Sequence, residues 1–293
     1  MPDQDITQMF IDHNRNLWIG FATQGFVVKN TNRQRFDSNP YMTSQLRNFS
    51  IASMSLAPKG TLWMTTSKNE LMRYDDASGL SKINTGNLFR KPLPDVPSAS
   101  VMVGNDNKLW IIYNHVLYEG NVMGNTFAAN KIHKEIKNRV ACLTEDKHHT
   151  LWVGTVSDII YYKREGEAEF HPIKLGVKSM TAVFSLCPLD DDHIVCGLVL
   201  HKPILFNTKT HKVKVIDIGN LANSSYLTLC LARDHKGQVW IGTWNQGAFI
   251  YHPKSGNVEH VANLSCEEVS AILEDKDGYI WISTTNGLNR YSP

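Results

Sequence analysis

Asp234-His-Lys-Gly-Gln-Val-Trp-Ile-Gly-Thr243 is one of four near-copies in this chain. The others are Asp275-Lys-Asp-Gly-Tyr-Ile-Trp-Ile-Ser-Thr284, Asp146-Lys-His-His-Thr-Leu-Trp-Val-Gly-Thr155 and Asp12-His-Asn-Arg-Asn-Leu-Trp-Ile-Gly-Phe21. In each, an apolar stretch runs into a four-residue polar turn, and a second apolar stretch carrying Trp follows; this is the pattern of a β-hairpin. Weaker copies centre on Trp63 (Lys59-Gly-Thr-Leu-Trp-Met-Thr-Thr66) and Trp110 (Asp106-Asn-Lys-Leu-Trp-Ile111). A seventh, His193-Ile-Val-Cys-Gly197, has Val195 where the others have Trp. The anchors Trp18, Trp63, Trp110, Trp152, Val195, Trp240 and Trp281 are 45, 47, 42, 43, 45 and 41 residues apart. A period this constant marks a repeat architecture.

Strands of the Leu-Trp-Ile-Gly-Thr type are apolar on both faces, so each must be covered on both sides. Face-to-face stacking of small sheets does that. The expected fold is therefore all-β: a seven-bladed β-propeller of four-stranded antiparallel blades, filling residues 1–293 as a single domain. Gly25, Gly247 and Gly287 stand at matching chain reversals where φ > 0 is needed. Tyr74, Tyr162, Tyr251 and Tyr291 recur ten or eleven residues past the anchor as packing residues of the third strand. After Trp281 only twelve residues remain, so one blade is expected to lack its outer strand and the chain to be a fragment of a larger protein.

Composition narrows the function classes. A net charge of +2 over 293 residues, 42% of them hydrophobic, gives no reason to expect a nucleic-acid or membrane-surface partner. There is no 18-residue apolar run, and the first residues have no signal-peptide character. The five cysteines lack metal spacing. Cys142 and Cys230 each lie ten residues before an anchor and read as small core residues. Cys187 and Cys196 flank one turn; the sibling register sets Cys196 opposite Ser185, which argues against a disulfide.

The consensus Asp-x-x-Gly-x-Leu/Ile-Trp-Ile-Gly-Thr, followed by Gly287-Leu-Asn-Arg-Tyr291, resembles the two-component regulator propeller repeat. Leu93-Pro-Asp95 and Met1-Pro-Asp3 resemble the Leu-Pro-Asp segment that often precedes it. The resemblance covers the whole chain and is sharpest in repeats one, four, six and seven. It implies the periplasmic sensor region of a bacterial hybrid two-component histidine kinase, part of an inner-membrane receptor responding to oligosaccharides. Kinase activity would belong to parts of the parent protein outside this chain, so no enzyme activity and no cofactor are expected here. The implied partners are an oligosaccharide and the adjoining sensor domains, with a homodimer as an open alternative.

The register Trp residues read as core, and Asp12, Asp146, Asp234 and Asp275 as caps of their own turns. Trp244 falls outside the register, in the loop Thr243-Trp-Asn-Gln-Gly247. A flat apolar face beside Asn245 suits a sugar ring and its hydroxyls. The equivalent loops contribute Asn114, His115, His201 and Asn286, and these six residues form the candidate ligand site. The opposite end carries the Asp-x-x-Gly turns; there His148-His149 and Asp190-Asp-Asp192 read as hydrated tips rather than a metal site. Two other readings stay open. A propeller enzyme of the streptogramin-lyase kind would need His and Glu converging as base and acid; His115 and His201 qualify, but no Glu stands in the matching loops. A pure protein-interaction scaffold would need neither.

Overall fold

The computed structural model describes residues 5–12, 16–22, 25–29, 36–37, 50–89, 99–177, 181–219 and 227–292. The Leu93-Pro-Asp95 and Met1-Pro-Asp3 segments lie outside them. The chain is a seven-bladed all-β propeller, and it divides into two compact units, Met1–Lys134 and Glu135–Pro293.

The first unit holds three blades. Blade 1 comprises β1 (Ile6–Ile11), β2 (Leu17–Phe21), β3 (Gly25–Lys29) and β4 (Phe36–Asp37); blade 2 comprises β5 (Ile51–Leu56), β6 (Leu62–Thr66), β7 (Leu71–Asp75) and β8 (Gly79–Ile83). Blade 3 comprises β9 (Ser100–Val103), β10 (Leu109–Tyr113), β11 (Val116–Met123) and β12 (Thr126–Ile132). Each blade is a four-stranded antiparallel sheet with its strands paired in chain order. Trp18 packs with Phe26 and with Ile51, Met54, Leu62 and Met64 of the next blade. Trp63 does the same against Ala99, Val101, Leu109 and Ile111.

The second unit holds four blades. Blade 4 is β13 (Val140–Glu145), β14 (Leu151–Thr155), β15 (Ile159–Lys163) and β16 (His171–Lys174); blade 5 is β17 (Val183–Pro188), β18 (His193–Leu198), β19 (Ile204–Asn207) and β20 (Val213–Val215). Blade 6 is β21 (Thr228–Arg233), β22 (Val239–Thr243), β23 (Ala248–Tyr251) and β24 (Val258–His260). Among the described residues blade 7 has three strands, β25 (Val269–Glu274), β26 (Ile280–Thr284) and β27 (Gly287–Tyr291), as expected for the short blade. Between blades, Trp152 packs on Val183, Leu186 and Ile194, and Trp240 on Val269, Ile272 and Ile280. Where Trp is absent, Val195 joins Ile216, Val239 and Ile241 in an aliphatic core.

Six of the seven second strands are buried along their whole length on both faces, as their composition requires; β18 of blade 5 is so from Ile194 onward. Six blades carry the same irregularity: the pairing of first and second strands slips by one at the second residue of the first strand. Such a bulge leaves one residue unpaired and re-aims its side chain. The cysteine register also differs from the expectation: Cys196 lies opposite Leu186, and Ser185 opposite Gly197, because the pairing runs unbroken from the turn through Ser185 and the bulge falls beyond it, at Phe184. All five cysteines are free thiols.

The anchor Asp does more than cap its turn. Asp234 Oδ1 accepts the Gln238 N–H at 2.8 Å, while Oδ2 accepts the Trp240 indole N–H at 2.9 Å. The same second bond joins Asp12 to Trp18, Asp146 to Trp152 and Asp275 to Trp281 at 2.7–2.9 Å. The carboxylate thus satisfies a buried indole donor and the turn backbone together.

Candidate functional site at the loop end of the second unit

A repeated backbone bond builds this end. The residue just past each second strand donates to the residue before the first strand: Val156 N–H to Arg139 O (2.7 Å), Val199 to Ala182 (3.0 Å), Trp244 to Leu227 (3.0 Å) and Thr285 to Glu268 (3.1 Å). The repeat glycines align successive blades. A Cβ at Gly154 would lie 2.7 Å from Val183 O, one at Gly197 2.7 Å from Thr228 Cγ2, and one at Gly242 2.7 Å from Val269 Cγ1. The second strands of blades 4, 5 and 6 therefore each meet the start of the next blade's first strand, so the loop ends of blades 4 to 7 face the same way.

Trp244 sits here with 46% of its surface exposed, in contrast to the buried register Trp residues. Its loop is braced: the Thr243 hydroxyl donates to Gly247 O at 2.8 Å and accepts the Gln246 N–H at 3.0 Å. Gly247 holds φ of 70° and donates its N–H to Glu267 O at 2.8 Å. Asn245 is exposed beside Trp244. From blade 7, the exposed Asn286 donates its amide to Ser265 O at 3.4 Å. The Trp244 loop and the Thr285-Asn286 loop thus both rest on the segment 265–268. His201, in blade 5, is partly buried and its Nδ1 hydrogen-bonds the Lys202 carbonyl at 2.7 Å. Asn114 and His115 belong to the first unit; with φ of 50° and 60° they form the two-residue turn between the paired Tyr113 and Val116.

Three kinds of residue at this end escape a reading of sequence. Phe184 is exposed because the bulge turns it outward, although it lies inside an apolar strand. Val156 and Leu200 are exposed apolar residues of the equivalent loops. Glu267 and Glu268 precede β25 rather than follow a second strand; Glu268 Oε2 accepts the Thr285 hydroxyl at 2.9 Å.

At the turn end the tips expected to be hydrated are engaged. His148 Nε2 and Lys147 Nζ meet Asp191 Oδ1 at 2.8 and 2.6 Å, and His149 Nδ1 lies 3.1 Å from Glu145. Asp190 bonds His193, and Asp192 pairs with Lys209 at 2.6 Å. The hydrogen bond from Lys147, reinforced by that from His148, pulls the Asp191 carboxyl down to about 2. Among the described residues no group of His, Cys, Asp and Glu is arranged to hold a metal, and no helix is long and apolar enough to cross a membrane.

The family model of the two-component regulator propeller matches residues 220–245 and 263–286, the hairpins of blades 6 and 7 with their lead-in segments. No curated protein matches the sequence. Among solved structures, the fold resembles the extracellular domain of the putative hybrid two component system BT4673 from B. thetaiotaomicron (17% identity, TM-score 0.74), covering all of this chain and 39% of that one. Virginiamycin B lyase from Staphylococcus aureus is similar at 13% identity and TM-score 0.72, over 98% of this chain and 94% of the lyase. YCF48 from Cyanidioschyzon merolae matches at 10% identity and TM-score 0.73, covering 100% and 97%. At these identities the likeness is one of fold. This chain spans well under half the length of the BT4673 domain.

Proposed function

We propose, from the two-component regulator propeller repeats in blades 6 and 7, that this chain is a ligand-sensing propeller of a hybrid two-component receptor. In this reading it lies in the periplasm, as part of an inner-membrane receptor with adjoining sensor domains, and responds to an oligosaccharide. The repeat match carries the receptor assignment. The carbohydrate assignment is carried by Trp244, a half-exposed indole on a braced loop, with Asn245 alongside and Asn286 on the loop that shares its support. Rigid loops bearing an aromatic face and amide groups suit a sugar ring and its hydroxyls. His201 would serve in this set as an acceptor or donor to hydroxyls; Asn114 and His115 belong to the first unit.

Screening an oligosaccharide library by thermal shift identifies the ligand, since anything binding the folded state raises the melting temperature. Trp244→Ala should then fold normally and bind that ligand about 1–3 kcal/mol more weakly by isothermal titration, the size of a moderate hot spot. Equal affinity in a folded variant would refute the Trp244 site.

One observation favours a second reading, a lyase. Glu267 and Glu268, which the sequence did not place, stand at the same end as His201. Incubation with a streptogramin B lactone, read by mass spectrometry, decides it: unchanged substrate rejects the lyase.

A further inference from the structure

At the turn end of the second unit, two grooves lie between consecutive blades. One, of about 600 Å³, runs between blades 4 and 5 and is lined by Trp152, Tyr162, Arg164, Asp191 and Lys209. Its rim cations are neutralised: Lys147 meets Asp191, Lys209 meets Asp192, and Arg164 lies 3.6 Å from Glu167. The other, of about 510 Å³, runs between blades 5 and 6, lined by Asp190, Arg233, His235, Lys236, His252 and Lys254 among others. Lys214 of β20 adds a fourth cation at its rim, its Nζ within 2.9 Å of where a Cβ on Gly256 would stand.

The lysines and arginine of this second groove are left without ion pairs. Asp190 is spent on His193 and on the N–H groups of its own turn. Glu259 pairs with His252, Glu274 with His235, and Asp192 with Lys209. Among the described residues, Arg233, Lys236, Lys254 and Lys214 pair with no carboxylate. Four cations without ion pairs stand here against three carboxylates already engaged by histidines and turn N–H groups, so the free donors of the groove are cationic. The donors also arrive from different elements: Arg233 from the end of β21, Lys236 from the β21–β22 turn, Lys254 from the β23–β24 turn and Lys214 from the neighbouring blade. A planar carboxylate offers two oxygens in one plane, whereas a sulfate or phosphate ester offers three, directed apart.

We propose that the groove between blades 5 and 6 binds a small polyanion bearing two or more sulfate or phosphate ester groups, held by Arg233, Lys236, Lys254 and Lys214. The site lies at the opposite end of the blades from Trp244 and does not depend on the carbohydrate reading of that loop. Arg233 supplies the planar fork suited to two oxygens of one group, and the lysines act as point charges on the next. Screening makes the binding fall steeply with added salt.

Isothermal titration at low ionic strength tests this with sucrose octasulfate and with tripolyphosphate, neutral sucrose serving as control. At least one of the two anions should bind the parent chain, sucrose should not, and the stronger anion identifies the source as sulfated saccharide or polyphosphate. Arg233→Gln/Lys254→Gln, both exposed positions, should retain the parent melting temperature and bind at least about tenfold more weakly, as expected for two lost charge-assisted contacts. Lys147→Gln/Lys209→Gln, in the neutralised groove, should bind as the parent does, and so should Trp244→Ala. The proposal falls if neither anion binds or if Arg233→Gln/Lys254→Gln keeps the parent affinity. It also falls if Lys147→Gln/Lys209→Gln loses as much, which would mean binding to general surface charge. Loss confined to Trp244→Ala would move the anion to the loop end, overturning this groove while leaving the Trp244 reading intact.

Discussion

Trp240 is fully buried, and its indole N–H is held by Asp234, itself only 6% exposed. Removing the ring opens a cavity between blades 6 and 7 and strands the carboxylate without its donor. Trp240→Ala is therefore expected to cost about 3–5 kcal/mol, measured by urea unfolding, and an unchanged midpoint would show that the ring is not core. The spacing Asp-x₅-Trp was visible in the sequence, but the bond was not: the turn-capping role explains the Asp alone, and only the fold shows the turn curling back to bring the carboxylate to the indole. Cysteine chemistry is equally a matter of burial. Desolvation pushes the Cys142, Cys187 and Cys230 thiols up to about 12, and Cys196 higher still. Cys266 is partly exposed beside the Thr285 hydroxyl. A thiol titrating that high is almost wholly protonated at pH 8 and thus unreactive. Iodoacetamide applied to the folded chain at pH 8 should then spare the buried Cys187 and Cys196, as read by peptide mass mapping; labelling of either would contradict its burial.

For the strands, the telling position is the glycine two residues past the anchor. In blade 6 a Cβ at Gly242 would press on Cys230 Sγ and on Val269 of the following blade. Where glycine is absent a short hydroxyl side chain can serve, as with Thr65, which donates to Ala99 O, and Ser283, which donates to Ala271 O at 3.3 Å. Gly242→Ala should destabilise by about 1–3 kcal/mol, the usual cost of overpacking. Adding Cys230→Ala should recover only part of it by the same urea assay, since Val269 remains; full recovery would show that the contact with the next blade carries no cost. The strand pattern itself was readable because alternation of buried and exposed faces fails in the Leu-Trp-Ile-Gly-Thr segments, and two-sided burial leaves few architectures. The bulge was not readable. Val183-Phe-Ser-Leu reads as an ordinary apolar strand, and a one-residue slip in pairing has no signature in residue type, so the outward Phe184 and the true partner of Cys196 emerged only from the register.

At the scale of the molecule, the period of the anchors was enough to give seven blades, because repetition averages over local ambiguity, and the twelve residues after Trp281 pointed to the short one. The candidate site was legible only in part. Trp244 stood out by breaking the repeat register, whereas Glu267 and Glu268 reach the same end from a connection that no motif marks. The cationic groove was hidden for a different reason. Arg233 closes a strand and Lys254 sits in a turn, and a net charge of +2 says nothing of where cations without ion pairs gather.

The chain contains seven Trp residues, and the six in register are at most 9% exposed. Four of them also share one partner, a carboxylate on the indole nitrogen. In optical terms the molecule therefore carries a shielded background and a single solvent-facing reporter. Acrylamide reaches Trp244 first, and the red edge of the emission belongs mainly to that ring. A ligand settling on the loop end announces itself as a blue shift and loss of quenching, while an anion in the groove of blades 5 and 6 leaves that signal still. The two sites can thus be followed separately in one cuvette, without a label.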